Sequence, residues 1–314
     1  MNKNYVANIR TLCGATRLTY NEGKAKGMEV IIINNGVLNL YVLPDRALDI
    51  FRLEVKGENI AYISKNGVVN PHYLGGEGFD FFKTFQGGFL FTCGLDNVMG
   101  KDIHHGKVVP QHGTLTYLPA IDIETKTYEK DNSIFVEVSG IMEDTSLFGS
   151  HLILKRTITL EYGKLSFDLK DEIINEGSVD DEYMIMYHHN FGYPLFNEHS
   201  KLWVDSNHIA KGNENSNIET YNIFHAPIDG KEEEVFLHTI NKGNNAHVSL
   251  AGNNHKITIS WDTELLPYMN QWKYEASKDY VSALEPAMSP YPKKEYRRIK
   301  PNEKHTYKLH YEFE

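Results

Sequence analysis

A side-chain period of two, sustained through most of the 314 residues, is what most constrains how this chain can fold. Met28-Glu29-Val30-Ile31-Ile32-Ile33 runs through Asn34-Asn35-Gly36 into Val37-Leu38-Asn39-Leu40-Tyr41-Val42-Leu43. Alternate side chains of a strand face opposite sides, and Asn and Gly tolerate the positive φ of a tight turn. The stretch therefore predicts a β-hairpin with an Asn-Gly turn. His151–Thr159 reaches Leu165–Lys170 through Tyr162-Gly163-Lys164, and His247–Leu250 and Ile257–Trp261 flank Gly252-Asn253-Asn254, which predicts two more. The C-terminal Tyr307–Phe313 alternates as well. No long amphipathic helical stripe, Gly/Ser- or Pro-rich linker or short-period repeat interrupts the pattern. The reading is all-β: one large antiparallel β-sandwich, with residues 1–314 as a single domain.

Composition excludes several classes of function. A 41% share of hydrophobic residues suffices for a large core. The formal net charge of -10, with no Lys/Arg-rich run, argues against nucleic acid as a partner, because phosphate binding needs a basic stripe. Cys13 and Cys93 are the only cysteines, too few for a disulfide framework. The N-terminus has no apolar stretch resembling a signal peptide, and no segment approaches the roughly 18 apolar residues of a membrane span. The expectation is a soluble, reduced, cytoplasmic protein without a membrane partner.

Between Asn70 and Gly113 the pattern changes. Gly75-Gly76-Glu77-Gly78, Gly87-Gly88, Gly94, Gly100 and Gly106 alternate with Phe79, Phe81, Phe82, Phe85, Phe89 and Phe91. Such a stretch is too Gly-rich for a regular helix and too aromatic for disorder, and it reads as loops and short strands walling a binding cleft.

Three short islands place titratable groups beside Gly or Pro: Gln111-His112-Gly113, Tyr187-His188-His189-Asn190 and Glu285-Pro286. Two imidazoles and a carboxylate suffice for acid–base catalysis, in which one group removes a proton while another supplies one. An ordinary glutamate is ionised at neutral pH and histidine titrates close to it, so Glu285 suits the base and His188 the acid. On a strand, His188 and His189 face opposite ways; His188 is assigned to the cleft and His189 to the structure. Plainer roles are open to each residue. His112 could be a turn histidine, Glu285 a partner of Arg297 or Arg298, and Arg46 a partner of Asp45 or Asp49. Lys83 could be a solvated lysine, and Trp272 could close the core rather than rim a cleft. Adjacent histidines such as His104-His105 seldom chelate one ion, and metal-binding, phosphate-loop and nucleophile-elbow motifs are missing. No metal or other cofactor is expected.

The order of His112-Gly113, then Tyr187-His188-His189-Asn190-Phe191-Gly192-Tyr193-Pro194, then Leu284-Glu285-Pro286 resembles the galactose mutarotase (aldose 1-epimerase) superfamily, and more narrowly an uncharacterised bacterial branch of it. Leu43-Pro44-Asp45-Arg46-Ala47-Leu48-Asp49-Ile50 and Phe85-Gln86-Gly87-Gly88-Phe89 through Leu95 support the narrower match. The resemblance implies a β-supersandwich with an open cleft on one sheet and a small carbohydrate as ligand. It implies His188 as general acid on the sugar's ring oxygen and Glu285 as general base on the anomeric hydroxyl. It also implies His112 as a group that binds and polarises the sugar, and Arg46 as a hydroxyl-binding residue. The chain departs from the family in carrying Tyr187-His188-His189-Asn190 in place of an Asn-His-x-Tyr-Phe motif, and no equivalent of the family's sugar-binding Asp is evident.

The leading expectation is thus an isomerase that interconverts α and β anomers by ring opening. A carbohydrate-binding protein without catalysis is the alternative, since fold does not fix function. A two-carboxylate glycosidase pairing Glu285 with Glu77, Asp80, Glu143 or Asp144 ranks third.

Overall fold

The computed structural model describes residues 3–74, 81–104, 106–241 and 246–314. Two large antiparallel sheets carry the architecture. One has eight strands in the order Lys201–Val204, Ala246–Ala251, Lys256–Trp261, Lys304–Phe313, Ser166–Asn175, His151–Glu161, Ser133–Thr145 and Ile121–Lys130. The other runs Ser206–Lys211, Glu234–Ile240, Tyr268–Ala276, Asp279–Ala287, Asp181–Phe191 and Arg297–Ile299, and Leu90–Leu95 also pairs with Asp181–Phe191. A further five-stranded sheet runs from Gly14–Thr19 to Glu58–Asn59, its strand Asp49–Val55 packing beside Leu90–Leu95. The expected antiparallel β-sandwich is what forms.

Local patterning accounts for the strands. Glu29–Asn34 pairs with Leu38–Leu43, His151–Glu161 with Ser166–Asn175, and Ala246–Ala251 with Lys256–Trp261, as the alternation predicts. The first hairpin differs at its tip. Asn34 stands opposite Asn39, so four residues close the loop and only Gly36 takes a positive φ, of 94°. The side chain of Asn35 accepts hydrogen bonds from the N–H groups of Val37 and Leu38, replacing a tight two-residue turn. Among the described residues the one α-helix is the single turn Phe81–Thr84, and no helix is long and apolar enough to cross a membrane.

The interface between the large sheets is apolar and aromatic, with Phe89, Phe167, Tyr307 and Tyr311 at its centre. A charged network lies inside it. Arg156, fully buried, donates through Nε and Nη2 to the two carboxylate oxygens of Asp171 at 2.9 and 2.7 Å, and through Nη1 to Asp49 at 2.9 Å. The Tyr187 hydroxyl donates to Asp171, and those of Thr92 and Thr116 donate to Asp49. Tyr187 and Thr92 are cross-strand partners, each next in sequence to a residue on the opposite face, His188 and Phe91. The network therefore fixes the strands directly behind the candidate site.

Candidate active site

His188 and Glu285 meet because of strand register. Met186 pairs with Ala287 and His189 with Leu284, which puts His188 directly across from Glu285 on one face of the sheet. Nε2 of His188 lies 3.1 Å from Oε1 of Glu285. The neighbouring strands continue the row, with Phe91 opposite His188 and Asn270 opposite Glu285. In the next row the small Ala283 separates Asn190 from Trp272. His189 points the other way, into the sheet interface, with Nδ1 at 3.0 Å from the Leu284 carbonyl and Nε2 at 2.9 Å from the Tyr311 hydroxyl.

His112 arrives from the glycine-rich segment. Its backbone takes a left-handed conformation at φ 62°, and Gly113 follows at φ 75°. A Cβ on Gly113 would lie 2.4 Å from the Gly94 carbonyl oxygen and 2.5 Å from that of Asn97, so only glycine lets the loop press onto the strand Leu90–Leu95. The His112 N–H donates to Met99, and Nδ1 of its ring accepts the Met99 N–H at 3.3 Å. That bond leaves the proton on Nε2, making the free end of the ring a donor. The ring centroid stands 5.5 Å from that of His188.

Aromatic rings close over these groups. Phe81 lies 5.0 Å from the His112 ring, Phe85 5.7 Å and Trp272 6.0 Å from the His188 ring. Only 4% of His188, 4% of Glu285 and 8% of His112 remain exposed. The expected open cleft is thus a site under an aromatic roof, because Phe81 and Phe85 of the glycine-rich segment pack against the His112 and His188 rings. Trp272 is half-buried at the margin, and its indole N–H donates to the exposed carboxylate of Glu233 at 2.7 Å. Arg46 is fully buried beside Phe91, with its guanidinium 5.8 Å from that ring and 4.5 Å from Tyr117.

Burial sets the electrostatics. It pushes the Glu285 carboxyl up to about 8, with the Glu233 charge adding to the effect. It holds His188 well below the usual histidine range, helped by the neighbouring His112 and His189. His112 is pushed down to about 3 by burial and by the charge of Lys294. Several buried polar atoms have no hydrogen-bond partner among the described residues. They include Nε and Nη2 of Arg46, both amide atoms of Gln86, Nδ1 of His188, and the side-chain oxygens of Asn190 and Asn270. Buried polar groups are normally satisfied, so these atoms are available to hydrogen-bond water or a polar ligand.

The sequence profile of a family described as Domain of unknown function (DUF4432) matches residues 25–313. The chain belongs to the DUF4432 family. Its fold is that of galactose mutarotase-like proteins. A protein of Klebsiella pneumoniae subsp. pneumoniae, named provisionally as an aldose 1-epimerase, superposes with a TM-score of 0.88 at 21% identity, over 95% of this chain and 82% of that one. A galactose mutarotase-like protein from Clostridium acetobutylicum gives 0.64 at 13% identity over 97% and 99% of the two chains. A galactose 1-epimerase from Lactobacillus acidophilus gives 0.62 at 13% over 96% and 98%. At such identities the likeness is one of fold. No curated protein sequence matches the chain.

In this DUF4432 protein the ion pairs considered for Glu285 and Arg46 do not form. Glu285 faces His188, while Arg298 pairs with Asp180 and Arg297 donates to the Leu265 carbonyl. Asp49 is bonded to Arg156 and Asp45 accepts the Glu29 N–H, and neither forms an ion pair with Arg46, on which Asp49 acts only as a nearby charge. Lys83 is exposed. His105, Glu77 and Asp80 lie outside the described residues. Asp144 lines a separate cavity with Asp96 and Asp181, and no group of three His, Cys, Asp or Glu side chains among the described residues is placed to hold a metal. Glu233 and Asn270 join the site unannounced by any motif. Glu233 sits in the acidic run Glu232-Glu233-Glu234, which reads as solvated surface; only the distant Trp272 gives it a place here.

Proposed function

We propose that this protein is an aldose 1-epimerase-like isomerase acting on a free sugar or sugar derivative. The observation that carries the reading is the 3.1 Å approach of His188 to Glu285 within a roofed, polar-floored site. The ring oxygen and the anomeric hydroxyl of a cyclic sugar are bonded to the same carbon. An acid and a base serving them must therefore be neighbours, and adjacent strand positions make them so.

The proton balance closes over one cycle. Glu285 takes the proton of the anomeric hydroxyl while protonated His188 gives one to the ring oxygen, and the C1–ring oxygen bond breaks. The open-chain aldehyde then stands beside a neutral carboxyl and a neutral imidazole. Rotation about C1–C2 presents the other carbonyl face. His188 recovers its proton from the hydroxyl as that oxygen attacks C1, and Glu285 returns its own to the new anomeric oxygen. The pair carries one proton throughout. Its two arrangements, ionic and neutral, have the same net charge, so neither requires a second counterion in the buried site. The Nε2–H of His112, fixed by the Met99 amide, supplies a donor beside His188 for a sugar oxygen.

Anomer exchange measured by NMR over a panel of free aldoses, deoxysugars and uronic acids tests the reading. Acceleration above buffer for at least one sugar is expected. Tight sugar binding with exchange at the buffer rate would establish a carbohydrate-binding protein instead.

A further inference from the structure

We infer that the sugar taken by this site carries a carboxylate on the carbon next to its ring oxygen, as a hexuronate does, and that Arg46 holds it; the inference deepens, and rests on, the proposed isomerase reading. Arg46 is fully buried and makes no ion pair among the described residues, Asp49 acting on it only as a nearby charge. Its chain neighbours are committed elsewhere, Asp49 to Arg156 and Asp45 to the Glu29 amide. Nη1 donates to the Val69 carbonyl at 3.2 Å. Nε and Nη2 have no partner among the described residues. Those two N–H groups lie side by side on one edge of the planar guanidinium, the edge that grips a carboxylate with two parallel hydrogen bonds.

A sugar hydroxyl could satisfy one of these donors but carries no charge. A carboxylate accepts from both at once through two parallel charge-assisted bonds, which no single hydroxyl does. Stacking over Tyr117 and beside Phe91 holds the guanidinium plane and contributes some compensation, yet leaves the donor edge open.

The order of groups across the site matches the order of atoms in such a sugar. Phe91 is shared by Arg46, at 5.8 Å, and by His188, whose ring lies 6.4 Å away. Glu285 follows His188, and the Glu233–Trp272 pair lies beyond. In a hexuronate the carboxylate is borne on C5, then come the ring oxygen, C1 and the anomeric hydroxyl. With the ring oxygen at His188 and the anomeric hydroxyl at Glu285, the carboxylate falls on the Arg46 side. It also stands away from the carboxylates of Glu285 and Glu233, where it would be repelled.

The test uses the intact protein at pH 7 with glucuronate and galacturonate, and with glucose, galactose and xylose, which lack the carboxylate. Saturation-transfer NMR reads binding and anomeric exchange NMR reads turnover. The uronates should exceed their parent hexoses in kcat/KM by about ten- to a hundredfold, the scale of charge-assisted hydrogen bonds. Arg46→Gln, which keeps two donors but removes the charge, should bring that ratio close to one, with circular dichroism verifying its fold. Should the variant not fold, the wild-type ratio decides alone. Equal handling of uronates and parent hexoses overturns the inference while leaving the isomerase reading intact, as does a preference that survives in folded Arg46→Gln. Selective uronate binding without anomer exchange does the reverse. Failure of every sugar to bind overturns both.

Discussion

His188 and Glu285 occupy directly opposed positions on neighbouring antiparallel strands, and their side chains meet 3.1 Å apart in a site that exposes about one part in twenty-five of either residue. Burial disfavours charge on both, raising the carboxyl and lowering the imidazole. For an isolated acid and an isolated base these shifts would be harmful, since each moves away from its active form at pH 7. For a pair that works with one shared proton they are protective. Adding a second proton demands a buried cation, and losing the last one leaves a buried anion, so the one-proton state is widened on both sides.

The pH dependence of turnover follows from that arrangement. The last proton leaves the pair as pH rises through about 8, the value to which the Glu285 carboxyl is pushed. Above it no acid remains for the ring oxygen, and kcat/KM should fall. The acid limb, where His188 would take up a second proton, should lie well below the ordinary histidine range. A plateau through neutrality with an alkaline decline near pH 8 is expected from exchange rates at pH 5–10. A rate that climbs through pH 8 would show that Glu285 acts as an independent base and that no shared proton is used.

Legibility of this chain from sequence tracked the range of the interactions. Hairpins such as Glu29–Asn34 with Leu38–Leu43 are set by alternation within a dozen residues, and they formed where the alternation put them. The tip of that hairpin escaped because the Asn35 side chain, not backbone preference, closes the loop. The opposite facing of His188 and His189 was readable from strand geometry alone. Their partners were not: the register that brings Glu285 to His188 depends on how distant strands pair, and only the order of short motifs hinted at it. Glu233 was invisible because nothing local separates a carboxylate that caps a tryptophan from one that merely faces water.

Replacement of either member of the pair should separate catalysis from binding. Glu285→Gln preserves shape and hydrogen-bonding capacity but cannot take a proton, and His188→Asn removes the donor at the ring oxygen. Each should reduce kcat by about 10²–10⁴-fold with a much smaller change in sugar affinity. Because the two act on one proton inventory, the double variant should lose little more than the worse single one. Additive losses would show that they work independently.

Glu233 offers a way to shift the pair without touching it. Its carboxylate accepts the Trp272 indole N–H and adds negative charge that helps to raise Glu285. Glu233→Gln keeps an acceptor for the indole but removes the charge. The Glu285 carboxyl should then drop, and the alkaline decline of kcat/KM should begin at lower pH than in wild type. Glu233→Ala should show the same shift together with a higher KM, as Trp272 loses the bond that orients it. An unmoved alkaline limb in Glu233→Gln would mean that the rim charge is screened from the site.

Behind the sheet, the Arg156 network makes a prediction about stability rather than chemistry. Asp171 receives two hydrogen bonds from Arg156 and one from Tyr187 in a layer closed to water. Asp171→Asn retains the volume but takes away one of the two negative charges facing the guanidinium, and its amide N–H₂ would point a donor at Arg156 or Tyr187. A buried ion pair broken on one side costs about 3–5 kcal/mol, much more than an exposed pair such as Arg298–Asp180. Urea unfolding should show a loss of that size for Asp171→Asn and less than about 1 kcal/mol for Asp180→Asn. Replacing Arg156 and Asp171 together by apolar residues of similar volume would strand Asp49 instead, so that variant should not recover wild-type stability. Full recovery would mean that Asp49 is satisfied by the Thr92 N–H and the hydroxyls of Thr92 and Thr116 alone, and that the arginine is not required to hold the strands beneath His188.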